Sequence, residues 1–99
     1  MKYLQLKWKE TDTTLPSSMV CEIDDEGWER RKVEFWSDGR KGYASSDAEV
    51  GGTGIGLEPW LPEHLGQLFE DPEFEAVRLD RSQFEQIWAN RETPSAMMP

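Results

Sequence analysis

Residues 28–44 read Trp-Glu-Arg-Arg-Lys-Val-Glu-Phe-Trp-Ser-Asp-Gly-Arg-Lys-Gly-Tyr-Ala, and this stretch decides the fold class. Two alternating segments flank Asp38-Gly39, a dipeptide that strongly favours the tight turn of a β-hairpin. The segments are therefore predicted to be antiparallel strands, over about 28–36 and 40–44. Their aromatic residues indicate a small, twisted sheet.

The register of this hairpin has two solutions. A two-residue turn places Val33 opposite Ala44, whereas a three-residue turn that ends in a bulge at Gly39 places Val33 opposite Tyr43. The longer turn gives the richer apolar face, because Tyr43 then lies beside Val33 and Phe35. We favour the longer turn, although the sequence leaves both open.

Residue periodicity predicts the elements outside the hairpin. Alternating polar and apolar residues predict three further extended segments, over 2–9, 19–24 and 74–79. Apolar spacing of three and four residues predicts one helix that follows Leu61 and ends at Asp71, and another that begins at a capping box of Asp80 and Gln83. This order predicts an α+β domain, in which two helices pack on one face of a curved antiparallel sheet of about four to five strands.

Length and composition predict a single domain over 1–90, followed by a mobile tail over 91–99. Leu, Ile, Val and Phe make up only 19 of 99 residues, but five Trp and two Tyr add apolar area for a core. Apolar alternation starts at Tyr3, which leaves no space for a secretory leader, and no apolar run approaches the roughly 20 residues of a membrane span. The single Cys21 cannot form an internal disulfide. We therefore expect a cytoplasmic protein that does not contact a membrane.

Charge is distributed unevenly along the chain. The formal net charge is −9, and residues 44–99 hold 11 of the 20 acidic side chains but only 3 of the 11 basic ones. Such an asymmetry attracts a basic partner and repels nucleic acid. A basic protein is therefore the expected partner, and nucleic acid is disfavoured.

Six short motifs occur together in this chain: Lys2-Tyr3-Leu4, Trp-Glu-Arg-Arg-Lys-Val-Glu at 28–34, Asp38-Gly39-Arg40, Gly-Tyr-Ala at 42–44, Gly-Gly-Thr-Gly at 51–54 and Phe-Glu-Gln-Ile-Trp at 84–88. With these motifs, the chain resembles a family of small, acidic bacterial domains of undetermined function over nearly everything except its last ten residues. Families of this appearance often lie among bacterial toxin–immunity genes, so the resemblance implies an immunity-type binding role. It implies no catalytic residues.

The glycine-rich segment 51–56 invites comparison with phosphate-binding loops. It contains neither the G-x-G-x-x-G pattern nor a Gly-Lys-Ser/Thr sequence, and no strong helix start follows it directly. We interpret it as a bend over the edge of the sheet, with a weak contact to an anion or a peptide backbone as the alternative.

Residues with catalytic or metal-binding chemistry are few. Asp24, Asp25 and Glu26 are contiguous and lack the alternate spacing of a calcium loop, so a solvated turn is the better interpretation. His64, the only histidine, has no orienting group or co-ligand nearby in sequence. We therefore expect a protein that is not an enzyme and has no cofactor, catalytic residue or metal ligand. A metal-dependent hydrolase built on these four residues is the least favoured alternative.

Aromatic and basic residues share one face of the third strand. Trp28, Arg30, Lys32 and Trp36 have the composition of an interface anchor or a base-stacking platform. Nucleic-acid or nucleotide contact through this face is the main alternative function. The structural alternative is that a helix covers the tryptophan rings.

Acidic residues are concentrated along the first helix and its exit. They are Glu58, Glu63, Glu70, Asp71, Glu73 and Glu75. The leading hypothesis is a non-catalytic protein-binding module, in particular a bacterial immunity protein that neutralises a basic effector. Its predicted partner-binding residues are Glu70, Asp71, Glu73 and Glu75 for electrostatic steering and Trp60 or Trp36 for anchoring. Pro59 and Pro62 flank Trp60 and are expected to expose its ring. The identity of the partner and the oligomeric state stay open.

Overall fold

The computed structural model describes residues 1–9 and 14–92, and across them the chain forms six strands and two helices. In chain order they are β1 (Lys2–Trp8), β2 (Ser18–Ile23), β3 (Glu29–Phe35), β4 (Lys41–Ala44), β5 (Glu49–Val50), α1 (Pro62–Glu70), β6 (Phe74–Leu79) and α2 (Arg81–Ala89). All pairings are antiparallel, and the open sheet has the order β5-β4-β3-β2-β1-β6. The predicted α+β class with an antiparallel sheet and two helices is confirmed.

The predicted three-residue turn between β3 and β4 is confirmed. Val33 lies opposite Tyr43, and the N–H of Trp36 donates to the carbonyl oxygen of Arg40 at 2.9 Å. Gly39 has a φ of 95°, in the left-handed region that glycine adopts without a steric cost. The register is therefore the one that places Tyr43 beside Val33, which the richer apolar face favoured.

The two helices lie on opposite faces of the sheet, so their predicted placement on one face is wrong. Leu65 of α1 packs with Leu4, and Phe84 of α2 packs with Tyr3. Successive residues of a strand point to opposite faces, so neighbouring residues of β1 contact different helices. The cause lies in β2, where every residue from Met19 to Ile23 is buried. A central strand buried on both sides needs a covering layer on each face.

The sheet has one strand more than predicted, because a two-residue strand forms after the hairpin. Ser45 donates its N–H to the carbonyl oxygen of Ala48 at 2.9 Å, and the chain returns to pair Glu49 with Ala44. At the other edge, the segment predicted as a strand or connector is β6, which pairs with β1 along its length. In the described residues the edges of the sheet are thus one very short strand and one of six residues.

Arg91 and Glu92, the last two described residues, both contact Tyr43 of β4. The hydroxyl group of Tyr43 donates to Glu92 Oε1 at 2.7 Å, and the guanidinium group of Arg91 lies 4.4 Å from the ring centroid of Trp88. The remainder of the predicted mobile tail, residues 93–99, lies outside the described residues. No helix in the described part of the chain combines the length and apolar character needed to cross a membrane.

Candidate functional site

Four acidic residues meet at the corner between α1 and β6, and we call residues 70–75 the acidic corner. Asp71 ends α1, and its carboxylate accepts the N–H of Glu73 at 2.8 Å. Its carbonyl oxygen accepts the N–H of Phe74 at 3.3 Å, which turns the chain into β6. Glu70, Glu73 and Glu75 are exposed, and Asp71 is half-buried. The structure therefore brings the four predicted steering residues together at one corner.

Two lysines lie beside the acidic corner. Lys7 is directly opposite Glu75 in the β1–β6 ladder, and the N–H of Lys9 donates to the carbonyl oxygen of Glu73 at 3.1 Å. Both lysines are exposed and reduce the local negative potential. The sequence did not reveal them because they are more than sixty residues away along the chain and approach only through the β1–β6 pairing.

Exposed apolar side chains adjoin the acidic corner. Val77 on β6 is 50% exposed and Phe69 on α1 is 40% exposed. The guanidinium carbon of Arg78 lies 5.3 Å from the Phe69 ring centroid, a cation–π contact at the surface. The alternation of β6 predicted a strand, but only its place at the edge of the sheet explains why Val77 is exposed. The corner thus combines charge with apolar surface.

Trp60 is half-buried and packs against the core, so its ring does not stand exposed as predicted. Its indole Nε1–H donates to Glu29 Oε2 at 2.9 Å, and its backbone N–H donates to the carbonyl oxygen of Gly27 at 2.7 Å. The ring packs against the cluster that contains Leu65. Gly27, with a φ of 95°, permits this close approach, because a Cβ there would meet the Trp60 backbone. These two hydrogen bonds and the packing therefore hold the ring against the sheet.

Trp36 follows β3 and is half-buried, with the guanidinium carbon of Arg40 5.4 Å from its ring centroid. The strand registers place it at the same end of the sheet as the acidic corner. Glu75 lies opposite Lys7, Lys7 opposite Ser18, and Ser18 opposite the residue before Trp36. Three strand spacings of about 4.8 Å, roughly 14 Å in total, separate Glu75 from Phe35 in this row, and Trp36 is the residue that follows Phe35.

The Trp–Arg face of β3 does not form a continuous platform. Lys32 lies between its two ends, but its side chain is only 11% exposed and its Nζ is 2.8 Å from Glu29 Oε1. The same Nζ donates to the carbonyl oxygen of Gly54 at 3.2 Å. Trp28 and Arg30 are exposed at one end of the strand, and Trp36 lies at the other. A contiguous base-stacking surface is therefore not present on this face.

Glu29 fastens the glycine-rich loop onto the sheet. The N–H of Gly56 donates to Glu29 Oε1 at 2.6 Å, in addition to the contacts from Lys32 and Trp60. Burial raises the pKa of the Glu29 carboxyl, but the three donors outweigh this effect and hold the pKa below its usual value. A Cβ at Gly56 would lie 2.9 Å from Glu29 Oε1, so glycine is needed for this approach. The loop has a structural role here.

An arginine cluster on the opposite face joins α2 to the sheet. The guanidinium group of Arg31 donates to both oxygens of Glu22 at 2.8 and 2.7 Å, and it lies 2.7 Å from Glu85 Oε1. It also lies over the rings of Phe84 and Trp88, at 4.9 and 5.2 Å from their centroids. Sequence reasoning missed this cluster, because an arginine inside an alternating strand gave no sign of its partners on a distant helix.

An open cleft of about 1140 Å³ adjoins the arginine cluster. Trp28 and Leu57 line it, and Leu57 is 92% exposed. The acids Glu22 and Glu29 also line the cleft, but both already accept hydrogen bonds from basic side chains. Ile55 and Leu57, apolar residues of the loop that precedes α1, both line it. The cleft is a surface depression with mixed charge.

Asp24 and Cys21, which were considered for metal or nucleophilic chemistry, have structural surroundings. Asp24 Oδ1 accepts the N–H groups of Glu26 and Trp28 at 2.9 and 3.0 Å, which closes the turn before β3. Within residues 1–9 and 14–92, no three His, Cys, Asp or Glu side chains are arranged to hold a metal ion. Cys21 is buried, and burial raises the pKa of its thiol to about 12. A thiol with such a pKa is a poor nucleophile at neutral pH.

These features define a small α+β domain with a six-stranded open sheet in the described residues and an acidic corner at one edge. The chain belongs to the family described as "Domain of unknown function (DUF6881)", whose family model matches residues 2–93. The resemblance to an uncharacterised family is thereby confirmed. No curated protein and no solved structure matches the chain.

Proposed function

We propose that this protein is a non-catalytic protein-binding module that binds a basic protein through its acidic corner. The observation that carries the proposal is the grouping of four acids next to the exposed apolar residues Phe69 and Val77. Complementary charge accelerates encounter, and apolar contacts slow dissociation. The acidic corner therefore offers both parts of a binding site within one short segment.

Trp36 is the proposed aromatic anchor of this surface. It lies at the same end of the sheet as the acidic corner, whereas Trp60, which is also half-buried, packs against the core and donates to Glu29. Tryptophan is enriched among residues that dominate binding energy. A partner that covers the corner and Trp36 would span four adjacent strands, which fits an interface of ordinary size.

The more specific proposal is an immunity-type role in the bacterial cytoplasm, in which the protein masks a basic effector. The family resemblance supports it, together with small size and a net charge of −9. The interior acids with the lowest exposure, Glu22 and Glu29, are paired with Arg31 and Lys32. Because these two acids are held in ion pairs that stabilise the fold, we favour a binding role over a catalytic role for this domain.

The test is affinity capture from the source organism, followed by kinetics on the partner identified. The variant Glu70→Lys/Asp71→Asn/Glu73→Lys/Glu75→Lys reverses the charge of the acidic corner, while Asn at position 71 keeps the oxygen that accepts the N–H of residue 73. We expect the association rate constant at low salt to fall by about tenfold or more.

The matched control carries the same charge change at exposed acids elsewhere, in Glu26→Lys/Asp47→Asn/Glu49→Lys/Glu58→Lys. It changes the net charge equally, so a difference between the variants isolates the acidic corner. Equal association rates for the wild-type protein and the corner variant would refute the proposal.

A further inference from the structure

The strand β6 forms an edge of the sheet that is long enough to accept another strand. It spans six residues, pairs with β1 on one side, and among the described residues no strand pairs with its other side. The opposite edge strand, β5, has two residues. Exposed edges of this length are the sites at which proteins add a strand from a partner.

The alternation of backbone hydrogen bonds along β1 shows which backbone groups of β6 point away from the sheet. The N–H of Trp8 donates to Ser17 at 3.0 Å, on the β2 side, and the N–H of Lys9 donates to Glu73 at 3.1 Å, on the β6 side. Backbone groups of successive residues alternate in direction along an antiparallel ladder. Counted in twos from Glu73, the residues Glu75, Val77 and Leu79 therefore bond to β1 through their backbone groups. The N–H and C=O groups of Ala76 and Arg78, which lie between them, point away from the sheet.

We infer that β6 binds an extended, basic segment of the partner by antiparallel strand addition. This inference rests on the proposed function, since it specifies how the acidic corner holds its partner. The outward groups of Ala76 and Arg78 supply main-chain hydrogen bonds, and the side chains along β6 select the sequence. Such recognition takes affinity from the backbone and specificity from alternate side chains.

The side chains on the α2 face of β6 define the segment that fits. Counted backward along the chain they are Leu79, Val77, Glu75 and, just before the strand, Glu73. Because the outward backbone groups belong to the residues between them, these residues form the closer, non-hydrogen-bonded pairs with an added strand. The matching partner segment has apolar residues at positions 1 and 3 and Lys or Arg at positions 5 and 7.

A second copy of the chain is a poorer occupant of this edge. In a two-fold antiparallel pairing, residues of the same face lie opposite each other. The α2 face of β6 carries Glu75, Val77 and Leu79 and no cation. Self-pairing would therefore set Glu75 opposite an acid or an apolar residue, and two chains of net charge −9 also repel each other. A basic segment supplies the charge that a second copy lacks.

The probe is the peptide acetyl-Val-Thr-Val-Thr-Lys-Thr-Lys-amide, and the readout is amide hydrogen exchange by NMR on the full chain. Near saturation we expect exchange at Ala76 and Arg78 to slow by about tenfold, because bound peptide protects these amides. Exchange at Val77, whose N–H already bonds to β1, should change less than about twofold. The reversed peptide, acetyl-Lys-Thr-Lys-Thr-Val-Thr-Val-amide, is the control for orientation.

The variant Ala76→Pro separates strand addition from simple charge attraction. Proline removes the outward N–H, and it is tolerated on an edge strand at such a position because no ladder bond is lost. We expect the peptide affinity to fall about tenfold or more, whereas Ala76→Ser, which keeps the N–H, binds like the wild type. The wild-type exchange data decide the matter independently should Ala76→Pro not fold.

Each remaining outcome has a defined meaning. Absence of protection at Ala76 and Arg78, or equal binding of the reversed peptide, overturns antiparallel strand addition. Protection of these amides without peptide, which rises with protein concentration, shows that a second copy occupies the edge and also overturns it. If the charge-reversed corner loses its protein partner while Ala76→Pro keeps it, the proposed function stands and strand addition fails.

Discussion

Glu29 and Lys32 form an ion pair beneath the glycine-rich loop, with 2.8 Å between Oε1 and Nζ and side chains only 3% and 11% exposed. The pair is completed by the donors of Gly56 and Trp60 and by the carbonyl oxygen of Gly54. It therefore joins β3, the loop and the segment that leads into α1. A buried pair with these partners stabilises the domain mainly because the loss of one charge leaves the other uncompensated.

Removal of one member of this pair should destabilise the domain strongly. We expect Lys32→Met to lower the free energy of unfolding by about 2–4 kcal/mol, because Glu29 then stays buried without its cation. The double variant Glu29→Gln/Lys32→Met should recover a large part of this loss. Urea unfolding at pH 7 measures all three proteins. Equal losses in the single and double variants would show that the lysine contributes through packing and not through charge.

Stability should fall in acid because the native carboxylates of Glu22 and Glu29 resist protonation. The hydrogen bond from Arg31 is the main cause that lowers the pKa of Glu22, and the donors around Glu29 lower its pKa despite burial. Since both native pKa values lie below the unfolded value of about 4.3, the stabilisation is complete above that value and is lost as the pH falls through the native values.

The measurement for this acid dependence is the urea midpoint between about pH 6 and pH 3. Glu29→Gln should flatten the decline, since the substituted group no longer takes up a proton. A wild-type midpoint that stays constant, or a decline as steep in Glu29→Gln as in the wild type, would contradict the prediction for this residue.

The capping box of α2 should contribute measurably to stability. Asp80 Oδ1 accepts the N–H of Gln83 and Gln83 Oε1 accepts the N–H of Asp80, both at 2.8 Å. We expect Asp80→Ala to lower the free energy of unfolding by about 1 kcal/mol, whereas Asp80→Ser should lose much less, because serine also caps helices. Thermal or urea unfolding compares the two. Similar losses would indicate that the side chain acts through its charge.

The thiol of Cys21 should resist modification in the folded protein. It is 1% exposed, and burial raises its pKa to about 12. Reaction with a thiol reagent at pH 8 should therefore be slow and should accelerate sharply when urea unfolds the domain. Fast reaction in the absence of urea would mean that β2 opens locally, away from global unfolding.

The sequence predictions were correct where an interaction joins residues that are close along the chain, and they were wrong or missing where it joins distant segments. The turn at Gly39 and the capping box at Asp80 were predicted from neighbouring residues, and the structure confirms them. The register of Val33 with Tyr43 was the favoured one of two, and it is the one observed. The grouping of the four acids also followed from sequence, because they occupy one short corner. Each of these features depends on residues only a few positions apart.

Other features came from pairings between distant segments. Lys7 and Lys9 approach the acids only because β1 pairs with β6, and Trp60 turns inward only because Gly27 leaves room for its backbone. Likewise, β2 has buried apolar residues on both faces, with Glu22 beside Val20 on one of them, but the alternation of one strand does not reveal which helix will cover which face. Long-range contacts of this kind are decided when the whole core packs.

Taken by itself, the amino-acid sequence determined the strands of the described residues except β5, the helices, the tight hairpin and the acidic excess, since hydrogen-bonded turns, caps and periodicity act over a few residues. Only the tertiary structure decided that the helices lie on opposite faces, that Glu29 and Lys32 are buried together, and that β6 is an edge of the sheet among the described residues. These properties arise from the order of strands in the sheet, which depends on the competition of all apolar surfaces for burial.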